Sequence, residues 1–159
     1  ALAIDARLIV ETGVAYGWSS LALLLAVKDK ESPSLISIDR PYPDRDGADF
    51  VGCAVPDDLR KFWELNLGTD KSHLPTILKT HSGIDLCHYD SDKTYEGRMW
   101  AYPKLWESLR PGGYFISDDI GDNFAFRDFS KKIGIKAIVV EKHTPHIEGR
   151  YVGILRKPR

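Results

Sequence analysis

Acidic side chains recur in this sequence at the ends of short runs that read as strands. Glu11 and Asp39 follow residues 8–10 and 35–38, Asp90 and Asp92 follow 84–89, and Asp118 and Asp119 follow 114–117. In an open parallel sheet, ligands bind at the carboxyl ends of the strands. Asp39 is there placed to accept hydrogen bonds from two ribose hydroxyls. Asp90, Asp92, Asp118 and Asp119 would end neighbouring strands, and converging carboxylates repel one another unless a cation or raised pKa values offset this. Oxygen-only ligands suit magnesium, calcium or manganese. The local alternative is that these aspartates are solvated turn residues and helix caps, bonded to nearby backbone.

Between Glu11 and Asp39 lies Thr12-Gly13-Val14-Ala15-Tyr16-Gly17-Trp18-Ser19-Ser20. Gly13 and Gly17 permit positive φ and leave no side chain between backbone and ligand. Ser19 or Ser20 can cap the helix that follows. The spacing is G-x-x-x-G-x-S, whereas the dinucleotide fingerprint is G-x-G-x-x-G. Val14 and Ala15 stand where the second glycine would admit a pyrophosphate, and Glu11 would repel one. A carboxylate there suits a cationic ligand such as S-adenosylmethionine, with its ammonium and sulfonium. An NAD-type nucleotide site, and a tight turn with no ligand, are the competing readings.

The elements that position these residues alternate between strand and helix. Residues 21–27 are apolar on nearly every face, which predicts a helix buried against a sheet. Residues 40–55, rich in Pro, Asp and Gly, read as a long loop over the ligand mouth, where Tyr42 and Phe50 line a substrate site or anchor the loop. A helix opens at Pro56-Asp57-Asp58 and carries Leu59, Phe62, Trp63, Leu65 and Asn66. A third strand falls near 65–69, with Asp70 in a polar turn before Leu74-Pro75. Tyr95, Met99, Tyr102, Trp106 and Leu109 share a helical face that Pro103 should kink or break. Arg110-Pro111-Gly112-Gly113 reads as a turn, 123–133 as a helix, and 137–140 with 151–155 as an antiparallel pair of strands. The pattern is an α/β, doubly wound, mostly parallel sheet with one reversed strand and helices on both faces.

The 159 residues are 43% hydrophobic, enough for one core, so a single domain over 1–159 is expected. Net charge is −1 with no long basic run, which argues against a nucleic-acid partner. No 18-residue apolar stretch predicts a membrane span. Cys53 and Cys87 have neither disulfide nor zinc spacing, and each reads as a small buried hydrophobe; low cysteine use fits a cytoplasmic location. His88 shares a strand face with Leu86 and Asp90, so it is either a catalytic base or a packed, hydrogen-bonded histidine. Asp92 is a second candidate base. Trp18 either covers a cofactor or packs in the core. His143 and His146 read as surface residues, and His73 and His81 belong to no constellation. The sequence is compatible with a homo-oligomer.

Glu11-Thr12-Gly13 with Gly17 and Ser19, Asp39, the run from Ile84 to Gly97, Leu109-Arg110-Pro111-Gly112-Gly113 and the paired aspartates after residue 114 together resemble class I S-adenosylmethionine-dependent methyltransferases. The likeness is nearest to the methyltransferase-24 domain and macrocin-type sugar O-methyltransferases. It implies a seven-stranded sheet with a reversed last strand and O-methylation of a small molecule or sugar. It implies Glu11 near the methionine amino group, Asp39 on the ribose, and Asp70 by the adenine, although the turn Gly68-Thr69-Asp70-Lys71-Ser72 is one residue out of the family pattern. It implies a divalent cation, typified by magnesium, on Asp90, Asp118 and Asp119. The cation would hold a substrate hydroxyl, lower its pKa and aim it at the methyl group. Relatives usually carry helices before the first strand that this sequence lacks. Metal-independent methylation and a non-catalytic cofactor-binding fragment are the further alternatives.

Overall fold

A computed structural model describes residues 1–32, 34–41, 47–144 and 147–159. Seven strands, β1 (Leu8–Thr12), β2 (Ser34–Asp39), β3 (Trp63–Leu67), β4 (Ile84–Tyr89), β5 (Leu109–Ser117), β6 (Ile138–Thr144) and β7 (Ile147–Arg156), form one sheet in the order β3-β2-β1-β4-β5-β7-β6. The first five run parallel, and β7 lies antiparallel between β5 and β6. This is the expected doubly wound sheet with its reversed last strand. Among the described residues five α-helices accompany it: α1 (Trp18–Val27), α2 (Asp57–Arg60), α3 (Asp70–Thr80), α4 (Tyr95–Ser108) and α5 (Ala125–Lys132).

Strand alternation sorts the core into two layers. Ile9, Leu35 and Leu86 are register neighbours on one face and pack with Leu24 and Val27 of α1, Val55, and Leu59 of α2. Val10, Ile36 and Cys87 face the other side and meet α3, α4 and α5 through Leu74, Ile77, Tyr102, Leu105 and Phe129. All three central strands are apolar on both faces, as a covered parallel sheet requires. Tyr102 is the centre of the second layer: its ring stands edge-on to Tyr89 and Phe115, with centroids 5.0 Å away in each case. Such aromatic pairs add about 1 kcal/mol each beyond their buried area.

Several boundaries differ from the sequence reading. The helix opening at Pro56 stops at Arg60, because Trp63 to Leu67 alternate with period two and pair with β2 from Leu35↔Trp63 to Asp39↔Leu67. Asp70 begins a helix rather than a turn. Thr69 Oγ1 caps α3 by accepting the Ser72 N–H, and the helix continues through Pro75 because Leu74 and Ile77 anchor it in the core. α4 likewise runs through Pro103 without interruption. The Arg110–Gly113 turn lies inside β5, where the register slips between Ile84↔Leu109 and Leu86↔Tyr114. α1 buries only Ser20, Leu24 and Val27 fully and leaves Leu25 exposed, since it has the sheet on one side only. Cys87 is buried, but Cys53 is exposed in the turn before α2. No helix among the described residues is long and apolar enough to cross a membrane.

Candidate active site

A cleft of about 570 Å³ opens at the carboxyl ends of β1, β2 and β4, lined among others by Gly13, Asp39, Asp70, Asp90, Asp92 and Trp100. That volume suits a nucleoside-sized ligand. The turn after β1 is built around Asp39. Its Oδ2 accepts the N–H groups of Val14 (2.6 Å) and Ala15 (2.5 Å), and the Gly13 N–H donates to the Ile38 carbonyl at 2.8 Å. Asp39 therefore holds the loop through Oδ2, and among the described residues no hydrogen bond uses its Oδ1.

The two glycines are required by the protein as much as by any ligand. Gly13 has φ +83°, and a Cβ on it would overlap the backbone carbonyl of Asp90. Gly17, at φ +90°, is the N-cap of α1, and a Cβ there would sit 2.7 Å from Cα of Gly52. Neither Ser19 nor Ser20 caps the helix, because Trp18 is already its first residue. Ser20 turns inward instead.

It turns to Glu11, which is fully buried beneath the turn and does not line the cleft. Register explains its surroundings: Ser37 of β2 and His88 of β4 flank Glu11 across the sheet, and Ser20 approaches from α1. Ser20 and Ser37 hydroxyls donate to Oε2 at 2.6 and 2.8 Å, Trp63 Nε1 donates to Ser37 Oγ at 2.9 Å, and His88 Nδ1 lies 3.3 Å from Oε1. Burial alone would raise the Glu11 carboxyl, but the hydrogen bond and charge of His88, with the serine hydroxyls, hold it below its ordinary value. Burial likewise pushes the His88 imidazole down, and the bond and charge of Glu11 overcome this and leave it raised. His88 is thus packed and hydrogen-bonded to Glu11.

Asp70 opens α3 and accepts the Ser91 hydroxyl at 2.5 Å; burial raises its pKa, with the charges of Asp92 and Asp39 adding to the effect. Asp92 is exposed, and its Oδ1 accepts the Thr94 N–H at 2.9 Å. Its carboxylate fills the space a side chain at Gly97 would take. It therefore braces the first turn of α4, as the local alternative foresaw, while still facing the cleft.

Beside the cleft, one carboxylate oxygen from each of Asp90, Asp118 and Asp119 lies within 4.8 Å of the others. The ladder continues past the strands to set this up: Asp90 N–H reaches the Thr12 carbonyl at 2.7 Å and Asp118 N–H the Tyr89 carbonyl at 2.9 Å. Lys93 pairs with Asp90 and with Asp119 at 3.2 Å, and Lys142 of β6 pairs with Asp118. Burial raises the Asp90 pKa, Asp118 adds to it and Lys93 opposes it. For Asp118, burial is outweighed by Lys142 and the Asp119 N–H, so the carboxyl is lowered.

Comparison with known proteins decides the family. A family model described as a methyltransferase domain matches residues 10–120. The chain belongs to this family. A comparison with curated proteins found no match. Among solved structures, this methyltransferase domain is similar to an O-methyltransferase from Bacillus cereus in complex with SAH (TM-score 0.77, 17% identity, 96% of this chain and 75% of that one). It is similar to the O-methyltransferase TomG from Streptomyces achromogenes, involved in tomaymycin synthesis and bound to SAM (TM-score 0.76, 18% identity, 96% and 74%). It is also similar to a SAM-dependent O-methyltransferase from Thermotoga maritima (TM-score 0.66, 14% identity, 99% and 62%). At these identities the likeness is one of fold. The family match sets aside the NAD-type reading.

The donor set of the methyltransferase's carboxylate cluster fits a hard divalent cation: all ligands are oxygens, and Asp119 Oδ1 is buried with no partner among the described residues. The two lysines were missed in the sequence. Lys93 had a signal, since it lies three residues after Asp90 in the short loop before α4; Lys142 had none, because only the hairpin brings it to Asp118. Trp18, 71% exposed, neither packs in the core nor lines the cleft. Phe50 is exposed. Tyr42 and His146, and the side chain of His143, lie outside the described residues. His73 Nε2 bonds the Leu67 carbonyl and His81 Nδ1 that of Ile77, both local contacts.

Proposed function

We propose that this methyltransferase transfers a methyl group from S-adenosylmethionine to a hydroxyl of a small molecule or sugar, with a divalent cation of the magnesium type held by Asp90, Asp118 and Asp119. The observation that carries this reading is the three-carboxylate cluster beside a nucleoside-sized cleft with Asp39 and Asp70 on its wall. The SAH and SAM bound to the Bacillus cereus and Streptomyces achromogenes structures support the choice of cofactor.

In this reading Asp39 Oδ1 receives the ribose hydroxyls and Asp70 stands at the adenine end. When bound, the cation supplies a Lewis acid that holds an acceptor hydroxyl and lowers its pKa. His88 is committed to Glu11, so taking the acceptor's proton falls to Asp92, which lines the cleft. Trp100 contributes an apolar wall that excludes water. The free thiols of Cys53 and Cys87 accord with a cytoplasmic setting.

A second reading has its own observation. Lys93 and Lys142 already form ion pairs with all three aspartates, which favours a methyltransferase that works without metal. Calorimetric titration separates the two. S-adenosylhomocysteine should bind, and manganese should bind with Asp118→Asn abolishing the metal heat but not the nucleoside heat. Absence of S-adenosylhomocysteine binding refutes the cofactor assignment. Manganese binding that survives Asp118→Asn, or none in the wild type, leaves the metal-free reading.

A further inference from the structure

Among the described residues the largest fully buried side chain is a charged one, Arg98 of α4. Its Nη2 donates to the Asp119 carbonyl at 2.9 Å and reaches the Asp118 carbonyl and Asp122 Oδ2 at 3.5 and 3.4 Å. Its Nε and Nη1 have no partner among the described residues. A guanidinium with two unsatisfied nitrogens in the interior is destabilising, and an apolar residue of the same volume is often the more stable choice at such a place. Core packing therefore does not account for Arg98.

What it touches does. One nitrogen gathers the backbone carbonyls of two successive residues, and those residues are the aspartate pair of the cluster. Asp119 is held at φ +48°, a left-handed conformation that costs a non-glycine residue about 1 kcal/mol unless its surroundings impose it. With both carbonyls tied to α4, the side chains are left for the cluster, where Lys93 and Lys142 meet them. Asn123 Nδ2 ties the same loop to the Lys93 carbonyl at 2.8 Å, so the β5–α5 loop and the start of α4 form one frame.

Resting on the cation reading above, we propose that Arg98 is a positioning residue that sets the cation affinity of the Asp90–Asp118–Asp119 cluster by fixing the backbone of the aspartate pair. Groups that orient metal ligands from behind typically change metal affinity by about 10- to 100-fold when replaced. Arg98→Met fills the same volume without donors, and Arg98→Lys keeps the charge but not the fork. Manganese affinity, read by electron paramagnetic resonance of free Mn2+, should fall at least about tenfold in both variants. S-adenosylhomocysteine affinity should stay at the wild-type value, because Asp39 and Asp70 do not touch Arg98. If Arg98→Met does not fold, Arg98→Lys carries the test alone. Manganese binding equal to wild type in the folded variants overturns the proposal. So does a parallel loss of melting temperature, nucleoside affinity and manganese affinity, which marks a merely structural anchor. A wild-type protein that binds S-adenosylhomocysteine but no manganese overturns this proposal together with the cation reading, and leaves the methyltransferase assignment standing.

Discussion

Replacing Glu11 by glutamine tests the interior of the site most directly. The side chain keeps its shape and can still accept from one serine, but it loses its charge opposite His88. In the wild type, two serine hydroxyls at 2.6 and 2.8 Å and the imidazole at 3.3 Å converge on a carboxylate with no exposed surface. Breaking a buried, hydrogen-bonded charge pair costs about 3–5 kcal/mol, and the retained serine bond places Glu11→Gln at the lower end, about 3 kcal/mol. For a protein of this size that is a melting-temperature fall of about 6–12 °C. The pH dependence has a definite sign. His88 is raised in the folded state, so its stabilisation is full below its ordinary pKa of about 6.5 and is lost as pH rises through the folded value. Glu11 is lowered, so its share is full above about 4.3 and is lost as pH falls through its folded value. The gap between wild type and Glu11→Gln is therefore widest between about pH 4.5 and 6.5 and shrinks on the alkaline side. Urea unfolding at about pH 5.5 and pH 9 measures it. A difference under about 1 kcal/mol at pH 5.5, or one that does not shrink by pH 9, refutes the coupled pair.

Three other outcomes are expected. Asp39→Asn should weaken S-adenosylhomocysteine binding at least about tenfold by calorimetry, because one charge-assisted hydrogen bond is worth about 1.5 kcal/mol. Gly13→Ala should lower unfolding free energy by about 3 kcal/mol, the sum of a left-handed alanine and the overlap with the Asp90 carbonyl. A thiol reagent should label Cys53 in the native protein and Cys87 only after unfolding, since burial pushes the Cys87 thiol up to about 12.

The parallel strands and their acidic ends were legible because strand periodicity and the G-x-x-x-G turn are local signals. Asp39 and the Asp118-Asp119 pair lie where those signals put them. The extent of β3 and α3 was not legible. Trp63 to Leu67 can satisfy a short helical face as well as a strand, and only pairing with β2 decides; Pro75 reads as a breaker, and only the burial of Leu74 and Ile77 carries α3 past it. Glu11 was read as a ligand contact from its place before the glycine turn. Its partners Ser20, Ser37 and His88 come from three separate elements, so its burial could be seen only in three dimensions. Lys142 escaped for the same reason, arriving from the hairpin 24 residues beyond Asp118.

That hairpin also constrains assembly while the chain is being synthesised. β7 follows β6 along the chain yet lies between β6 and β5, so the outer edge of β5 stays unpaired until the chain beyond residue 147 is available. Only then can the Ile120 N–H find the Tyr151 carbonyl and Lys142 reach Asp118. During synthesis on the ribosome, the acidic pair would emerge well before the strands that close over its flank. Its completion waits on a late, long-range pairing, the slow kind of contact in folding. On the ribosome, the strands that carry the cleft are thus available first, and the lysine flank of the carboxylate cluster last.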